Sequence, residues 1–586
     1  MAGIKIKDFF NGKFFEIPKY QRGYAWEVQN VRDLFDDITE SIESNSNHYI
    51  GTIVLSKDRQ DDEKFYVVDG QQRITTISMI IRALVAHLGP NDTAYYERFY
   101  LKEGERIRLI PLNRDREFYS NLMNYSVSQP ESKSQRALLA ATSEITLRLG
   151  EIPDKLAFLK SIEKFEVMEF IEDTEGDAIR IFQTVNDRGK PLSNMEKAKS
   201  LLIYFSNRYL AKELDDKIND RFSEMFEVYD DIKLAGERVN IALIKNKEFD
   251  EDSIMRYHFL TFSNENYDPT ASYVLKYLKN KLTALRSSSN GDHFKTREFI
   301  TDYVDSLGSF FKGMLSLLRK AESRVEYYKV FSFLQLSATL YPLIVGLELM
   351  DLLDETIPTP VSHRTTFLNL IELVDVRVYK TRGTDPKADI ARFTHDIFKK
   401  PVTDIESWLL WFNNRWMSKE EFQAAFSANI VGNRSLNHIF INYCEAIRGL
   451  AFSIEELKDI SNLNPNIEHI LSQTPNFDPV AFGFSDDEDY VNHKHRIGNL
   501  SILERNFNSS IQNKAAVEKV ETYDRSKFVV MQEVGAQIYA QRGFTKANII
   551  KRTQVLAEYC SARWWAELGL KRYSPTTAEL EHEPEQ

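Results

Sequence analysis

Cysteine is nearly absent: Cys444 and Cys560 are the only two in 586 residues. That excludes a disulfide framework and a cysteine-built zinc site, and it fits a chain kept reduced. Long hydrophobic runs are missing too. The most apolar stretch, Leu340 to Met350, is broken by Pro342 and Glu348 and falls short of the roughly 20 residues a membrane helix needs. The opening MAGIKIKDFF carries neither the apolar segment nor the small-residue cleavage site of a secretory leader. These absences predict a cytoplasmic protein with no membrane partner. An excess of positive charge is also lacking, since 75 Lys and Arg face 87 Asp and Glu for a net charge of −12. Such a chain does not coat nucleic acid by bulk electrostatics. DNA contact has to come from local patches, either Arg106, Arg108, Arg114 and Arg116 or Arg377, Lys380 and Arg382. A solvated charged face is the plainer reading of each patch.

What is present is core material. Hydrophobic residues make up 42% and aromatic residues 12%, too much for a disordered chain. The length exceeds the roughly 250 to 300 residues one core serves, so several domains are expected. Early in the chain, FYVVDG reads as a strand ended by Asp69-Gly70, and QQRITTISMIIRALVAHL as a helix with Ile74, Ile77, Ile81 and Leu84 on one face. From Leu201 to Phe426 apolar residues recur at helical spacing. Beyond that, NPNIEHILSQTPNFDP and HRIGNLSILERNFNSS break the helical pattern with Asn, Pro and Gly. No internal repeat is evident.

Near the C-terminus, Glu468-His469 follows the Pro465-Asn466 break, with Asn499 and Asn508 downstream. Magnesium prefers oxygen ligands and keeps several waters, which suits Glu468 and Asn508 as its protein ligands. A neutral histidine can take a proton from water attacking phosphorus, the role expected of His469. Gly498-Asn499 reads as a turn into a short strand or helix, with Asn499 bracing the loop that carries the histidine. Taken alone, a Glu-His pair more often packs or caps than reacts.

Near the N-terminus three segments gather Arg, Gln, Asn or Thr around glycine: IPKYQRGYAWE (17–27), VVDGQQRITT (67–76) and IFQTVNDRGKPLSNMEKAKS (181–200). In the second, Gly70 permits a sharp turn, and the helix start beyond it offers unpaired amides suited to phosphate. Arg73, Thr75 and Thr76 add donors, and Asp69 is a candidate magnesium ligand. Strand, Asp-Gly, helix is by itself a common structural turn. The chain has no GxxxxGK[ST] phosphate loop, so any nucleotide hydrolysis uses a different cradle.

These motifs, in this order, resemble the GmrSD-like family of modification-dependent (type IV) restriction endonucleases. EHI, Gln473, Gly498 to Leu500, Asn506, Asn508, Lys514 and the closing helix with Arg552, Leu556 and Trp564 match its C-terminal HNH (ββα-metal) domain, with Ser472 where proline is usual. The three early segments match its ParB-like, nucleotide-binding N-terminal domain, with Gly23 where proline is frequent. The resemblance implies an α+β, predominantly helical fold. Its expected parts are a ParB-like nucleotide-binding sensor over residues 1–205, a helical middle over 206–425, an HNH nuclease over 426–572 and a flexible acidic tail over 573–586.

It further implies that Gln21, Arg22, Asp69, Gln71, Gln72 and Arg73 line the nucleotide pocket and that Asn186, Arg188 and Gly189 complete it. Thr75 joins them as a donor and Lys199 as a phosphate contact. Tyr20, Tyr24 and Trp26 are either a core staple or a surface on which bases stack, core being the plainer reading. Arg496 and Lys514 are candidate DNA contacts, as are His493 and His495 as surface or phosphate contacts. The implied cofactors are magnesium or manganese and a nucleoside triphosphate, GTP or another. The implied partner is double-stranded phage DNA bearing a mark such as glucosylated hydroxymethylcytosine or phosphorothioate, and self-association is left open. The expected function is a nucleotide-regulated, metal-dependent endonuclease that nicks or cleaves such DNA. The alternative is a nucleotide-dependent DNA-binding switch with a silent HNH domain.

Overall fold

The computed structural model describes residues 3–18, 21, 23–43, 49–111, 113–126, 128–173, 193–287, 293–357, 366–474 and 477–565. The chain forms two compact units, residues 1–231 with 271–308 and residues 232–270 with 309–586.

The first unit is built on a mixed sheet. Its strands are β1 (Ile4–Lys5), β2 (Phe14–Glu16), β3 (Tyr49–Lys57), β4 (Lys64–Asp69), β7 (Leu109–Ile110) and β8 (Glu166–Glu172), in the order β1-β8-β3-β4-β2-β7. A separate antiparallel pair comprises β5 (Lys102–Glu103) and β6 (Arg106–Ile107). β3 and β4 form an antiparallel hairpin, whereas β3 runs parallel to β8 and β2 parallel to β4 and β7. The predicted FYVVDG strand is β4. Its alternation buries Phe65 and Val67, and at its end Gly70 takes φ +90°, a left-handed conformation that glycine adopts without strain.

That turn launches α3 (Gln71–Val85), after α1 (Ile6–Phe10) and α2 (Val28–Glu43). Ile74, Ile77, Ile81 and Leu84 of α3 are buried in one core with Phe9, Phe10, Phe15, Val67 and Leu159. Rings of Phe9 and Phe15 stack at 4.8 Å. Helix α4 (Lys133–Gly150) adds Leu138, Ala141, Ile145 and Leu149. Helix α5 (Asn194–Tyr209) starts at a capping box in which Ser193 and Glu196 bond each other's backbone.

The second unit is helical apart from one hairpin. Among its helices are α6 (Tyr341–Leu349), α7 (Phe367–Val374), α8 (Val402–Trp416) and α9 (Leu436–Arg448). Strand β9 (Asn466–His469) pairs antiparallel with β10 (Leu500–Leu503), aligning His469 with Leu500 and Glu468 with Ser501. Helix α10 (Asp487–His493) lies in the connection between the strands. After them come α11 (Arg505–Ile511), α12 (Ala516–Asp524), α13 (Val529–Gln541) and α14 (Lys546–Arg563). A buried polar knot ties α14 to the helical part: Glu372 Oε1 accepts from His438 Nε2 and Trp564 Nε1, both at 2.9 Å. Burial pushes the Glu372 carboxyl up, but Arg563 and His438 outweigh it and hold it well below the usual carboxylate range.

The fold is thus α+β and mostly helical. Among the described residues no helix is long and apolar enough to cross a membrane.

Candidate functional site

Alternation along a strand sends neighbouring side chains to opposite faces, so Glu468 and His469 enter different surroundings. Glu468 is 3% exposed. Its Oε1 accepts from Lys519 Nζ at 2.7 Å and from Tyr523 OH at 2.8 Å. Burial raises the Glu468 carboxyl pKa, an effect that Lys519 and Tyr523 offset in part. Lys519 is fully buried and also donates to the His469 carbonyl at 2.8 Å. Neither Lys519 nor Tyr523 was singled out from sequence. Their i,i+4 spacing, which puts both on one face of α12, was the available signal.

On the other face His469 is 6% exposed. Its Nδ1 meets Gln473 Nε2 at 3.0 Å and its Nε2 meets His495 Nδ1 at 3.0 Å. Burial, then His495, Lys519 and Lys494, push the His469 imidazole down to about 3, so it is neutral near pH 7. Burial and Lys494 also lower His495. His493, by contrast, bonds Asp489 within α10.

The Asn499 side chain is fully buried. It accepts from Leu471 N at 2.8 Å and donates to the carbonyls of Leu471 at 3.0 Å and Lys494 at 2.8 Å, fastening the loop after His469 to the approach to β10. The preceding glycine has a steric cause: a Cβ on Gly498 would lie 2.1 Å from the Ile549 carbonyl oxygen and 2.5 Å from Thr553 Oγ1. Ser472, where the family pattern has proline, ties the loop by donating to the Lys514 carbonyl at 3.1 Å. The Asn508 amide donates to Asn466 Oδ1 at 2.7 Å and the Ile467 carbonyl at 3.2 Å, whereas Asn506 is exposed. Lys514 is exposed and Arg496 half-buried.

Glu468 on β9 and Asn508 on α11 carry the oxygen donors that magnesium accepts, with waters completing its shell, while Asn508 itself bonds Asn466 and Ile467 of β9. Lys519 competes for the same carboxylate. Among the described residues no group of three or more His, Cys, Asp or Glu is placed to hold a metal, so the zinc pattern of several nitrogen or sulfur ligands does not fit.

At the first unit's candidate pocket, glutamines hold backbone. Gln72 Oε1 accepts from Ala25 N at 2.8 Å and its Nε2 donates to the Gly23 carbonyl at 3.2 Å. Gln21 Nε2 donates to the Val68 carbonyl at 2.8 Å, and Gln71 Nε2 donates to Gln21 Oε1 at 3.2 Å. Gln71 and Thr75 are buried, Asp69 and Arg73 half-buried, and Arg73 Nη1 donates to the Thr52 carbonyl at 3.1 Å. The Arg73 guanidinium lies close against Gly51, whose φ is +122°. Lys199 is buried in α5.

Of the two readings left open for Tyr24 the structure has the core one: it is 7% exposed and bonded through its hydroxyl to Thr76 Oγ1 at 2.8 Å. Trp26 packs partly buried against the same core. Tyr20, Arg22, Asn186, Arg188 and Gly189 lie outside the described residues, as does the 573–586 tail. A recess lined by Ile17, Gly23, Tyr24, Gln71, Gln72, Thr75, Pro111, Asp115 and Leu138 has a cavity volume of only about 10 Å³. Asp115, which sequence reasoning passed over, accepts there from Ser134 Oγ at 2.6 Å.

The basic-patch side chains that follow have partners within the protein, while that of Arg114 lies outside the described residues. Arg106 pairs with Asp61 and Glu63, and Arg108 with Glu103. Arg377 is fully buried and donates to the Met417 carbonyl, and Arg382 donates to the Trp416 carbonyl.

Two family models match this chain, the N-terminal domain of the GmrSD restriction endonuclease over residues 6–203 and the C-terminal domain of GmrSD restriction endonucleases over residues 416–559. No curated protein matches it.

Proposed function

Since the chain belongs to the GmrSD restriction endonuclease family, we propose that it is a nucleotide-regulated, metal-dependent nuclease that nicks or cleaves marked double-stranded phage DNA at the His469 site. The observation that carries this reading is the arrangement at the end of β9, a buried neutral imidazole held by Gln473 and His495 beside a loop that Asn499 fastens. Holding a proton-transfer group in one geometry is what general-base catalysis of water attack requires. Glu468 and Asn508 would hold magnesium or manganese, which when bound supplies positive charge against the phosphodiester. Lys494 and Arg496 flank His495 in the chain and suit a phosphate backbone.

Support for a nucleotide at the first unit is the start of α3. Gly70 turns the chain sharply, no side chain caps the helix, and Arg73 stands one turn in. At about 10 Å³ the recess is closed to anything of the roughly 300 to 1,000 Å³ that most ligand pockets offer, so nucleotide entry requires the segment that Gln72 clamps to move. That coupling is the proposed regulatory step.

The Glu468–Lys519 pair favours the second reading, a DNA-binding switch whose nuclease fold is silent, because it neutralises the carboxylate internally. Plasmid nicking in magnesium separates the two. Cutting by the wild type and none by a folded His469→Ala protein supports the nuclease, and equal cutting by both removes His469 from the mechanism.

A further inference from the structure

We propose that His495 is the catalytic residue that takes the proton from the attacking water, and that His469 is the positioning residue behind it. The inference rests on the nuclease reading above and changes which imidazole faces the substrate. An imidazole has two nitrogens. Both of those on His469 are engaged, Nδ1 with Gln473 and Nε2 with His495, and the side chain is 6% exposed. No lone pair is left on it for water.

His495 differs on each count. It is half-buried, and its Nδ1 is the atom that meets His469. Its Nε2 has no hydrogen bond among the described residues. The two rings stand edge to face, 5.2 Å apart at 77°, so the pair forms a relay with one outward end. Cationic residues flank His495 in the chain: Lys494 reaches the Gln473 carbonyl at 3.4 Å, and Arg496 Nε is buried without a hydrogen-bond partner among the described residues. A phosphodiester anion suits that place.

The Gln473 amide sets the tautomer of the relay. With its N–H donating to His469 Nδ1, the His469 proton sits on Nε2, and His495 presents an outward N–H. With the amide turned so that Oε1 accepts from His469 Nδ1–H, His469 Nε2 accepts from His495 Nδ1–H, and His495 Nε2 presents a lone pair.

In that second state water gives a proton to His495 Nε2 as its oxygen bonds phosphorus. The phosphorus bond to the bridging oxygen breaks, and the electron pair leaves on that oxygen, which takes a proton from solvent. The charge on the His495 imidazolium is stabilised through Nδ1–H to His469 and from there to the Gln473 carbonyl oxygen.

The test is single-turnover nicking by the full chain with magnesium, on supercoiled plasmid supplied unmodified, phosphorothioated or with glucosylated hydroxymethylcytosine. It compares wild type, His469→Ala, His495→Ala and His495→Gln. The expected result is a loss of about 100-fold or more in both His495 variants, with free imidazole in the buffer restoring part of the His495→Ala rate. A residue that merely supports the loop gains nothing from imidazole. His495 variants within about threefold of wild type while His469→Ala is inactive, or a loss that imidazole leaves unchanged, overturn the inference and leave the nuclease reading standing. Should His495→Ala fail to fold, His495→Gln decides by its rate alone. A wild type that cuts none of the three plasmids overturns both.

Discussion

Two glutamines organise the two candidate sites, and they work on different partners. Gln72, at the start of α3, spends its amide on backbone, holding Gly23 and Ala25 against the helix. Gln473, beyond the end of β9, spends its amide on a histidine that in turn holds a second histidine. Backbone groups cannot change protonation near neutral pH, so the first arrangement acts only as a latch that is closed or open. An imidazole can carry its proton on either ring nitrogen, so the second arrangement can relay protons. On the proposed readings the difference assigns conformational regulation to one region and bond chemistry to the other, with Gln72 buried and Gln473 exposed.

The comparison breaks most sharply at His469. His469→Ala is expected to lower nicking by about 10²- to 10⁴-fold while nucleotide affinity, measured by calorimetric titration, stays put; parallel loss of both would show that the sites are not separable. Next is Lys519→Met, which leaves the buried Glu468 carboxylate without its cation and is expected to cost about 3–5 kcal/mol of stability. Urea unfolding of the full chain measures it, and an unchanged midpoint would show that Glu468 readily takes up a proton.

Gln72→Ala strips partners from Ala25 N and the Gly23 carbonyl, which are exposed and half-buried, with an expected cost of about 0.5–1.5 kcal/mol per hydrogen bond lost. If the latch reading holds, the same variant binds nucleotide more readily. Arg73→Ala is expected to weaken nucleotide binding by about tenfold and to leave metal-dependent nicking by the other site intact.

The smallest effect is on acid stability. His258 and His469 are held at about 3, below the ordinary histidine value of about 6.5, chiefly by burial. The folded state therefore binds fewer protons than the unfolded one once pH falls below about 6.5, and stability declines from there toward pH 3 while staying level above. Unfolding midpoints of wild type and His469→Gln at pH 7.5 and pH 5 check the sign. The variant should lose less on acidification.

Much of this was legible in the residues. The β-branched and aromatic run before Asp69-Gly70 and the three-and-four spacing after it specify β4 and α3, because burial periodicity is local. The bracing role expected of Asn499 matches its bonds to Leu471 and Lys494, since a Gly-Asn turn before an apolar run has few other uses. The partners of His469 and Glu468 were not legible. His495 and Lys519 reach them across 26 and 51 positions of chain, and such meetings depend on how strands and helices pack. Tyr24 was open for the same reason, an aromatic ring reading alike in a core or on a surface until burial decides. Charge clusters misled most, because an arginine bonded to a distant carbonyl, as Arg377 is to Met417, has the same local sequence as one in water.

Gly498 carries a last consequence. Because helix α14 sits within 2.1 Å of where a side chain would begin at that turn, it works as a doorstop for the loop that leads into β10. Trimming the chain ahead of Ile549 would take away that stop while sparing every residue of the proposed site.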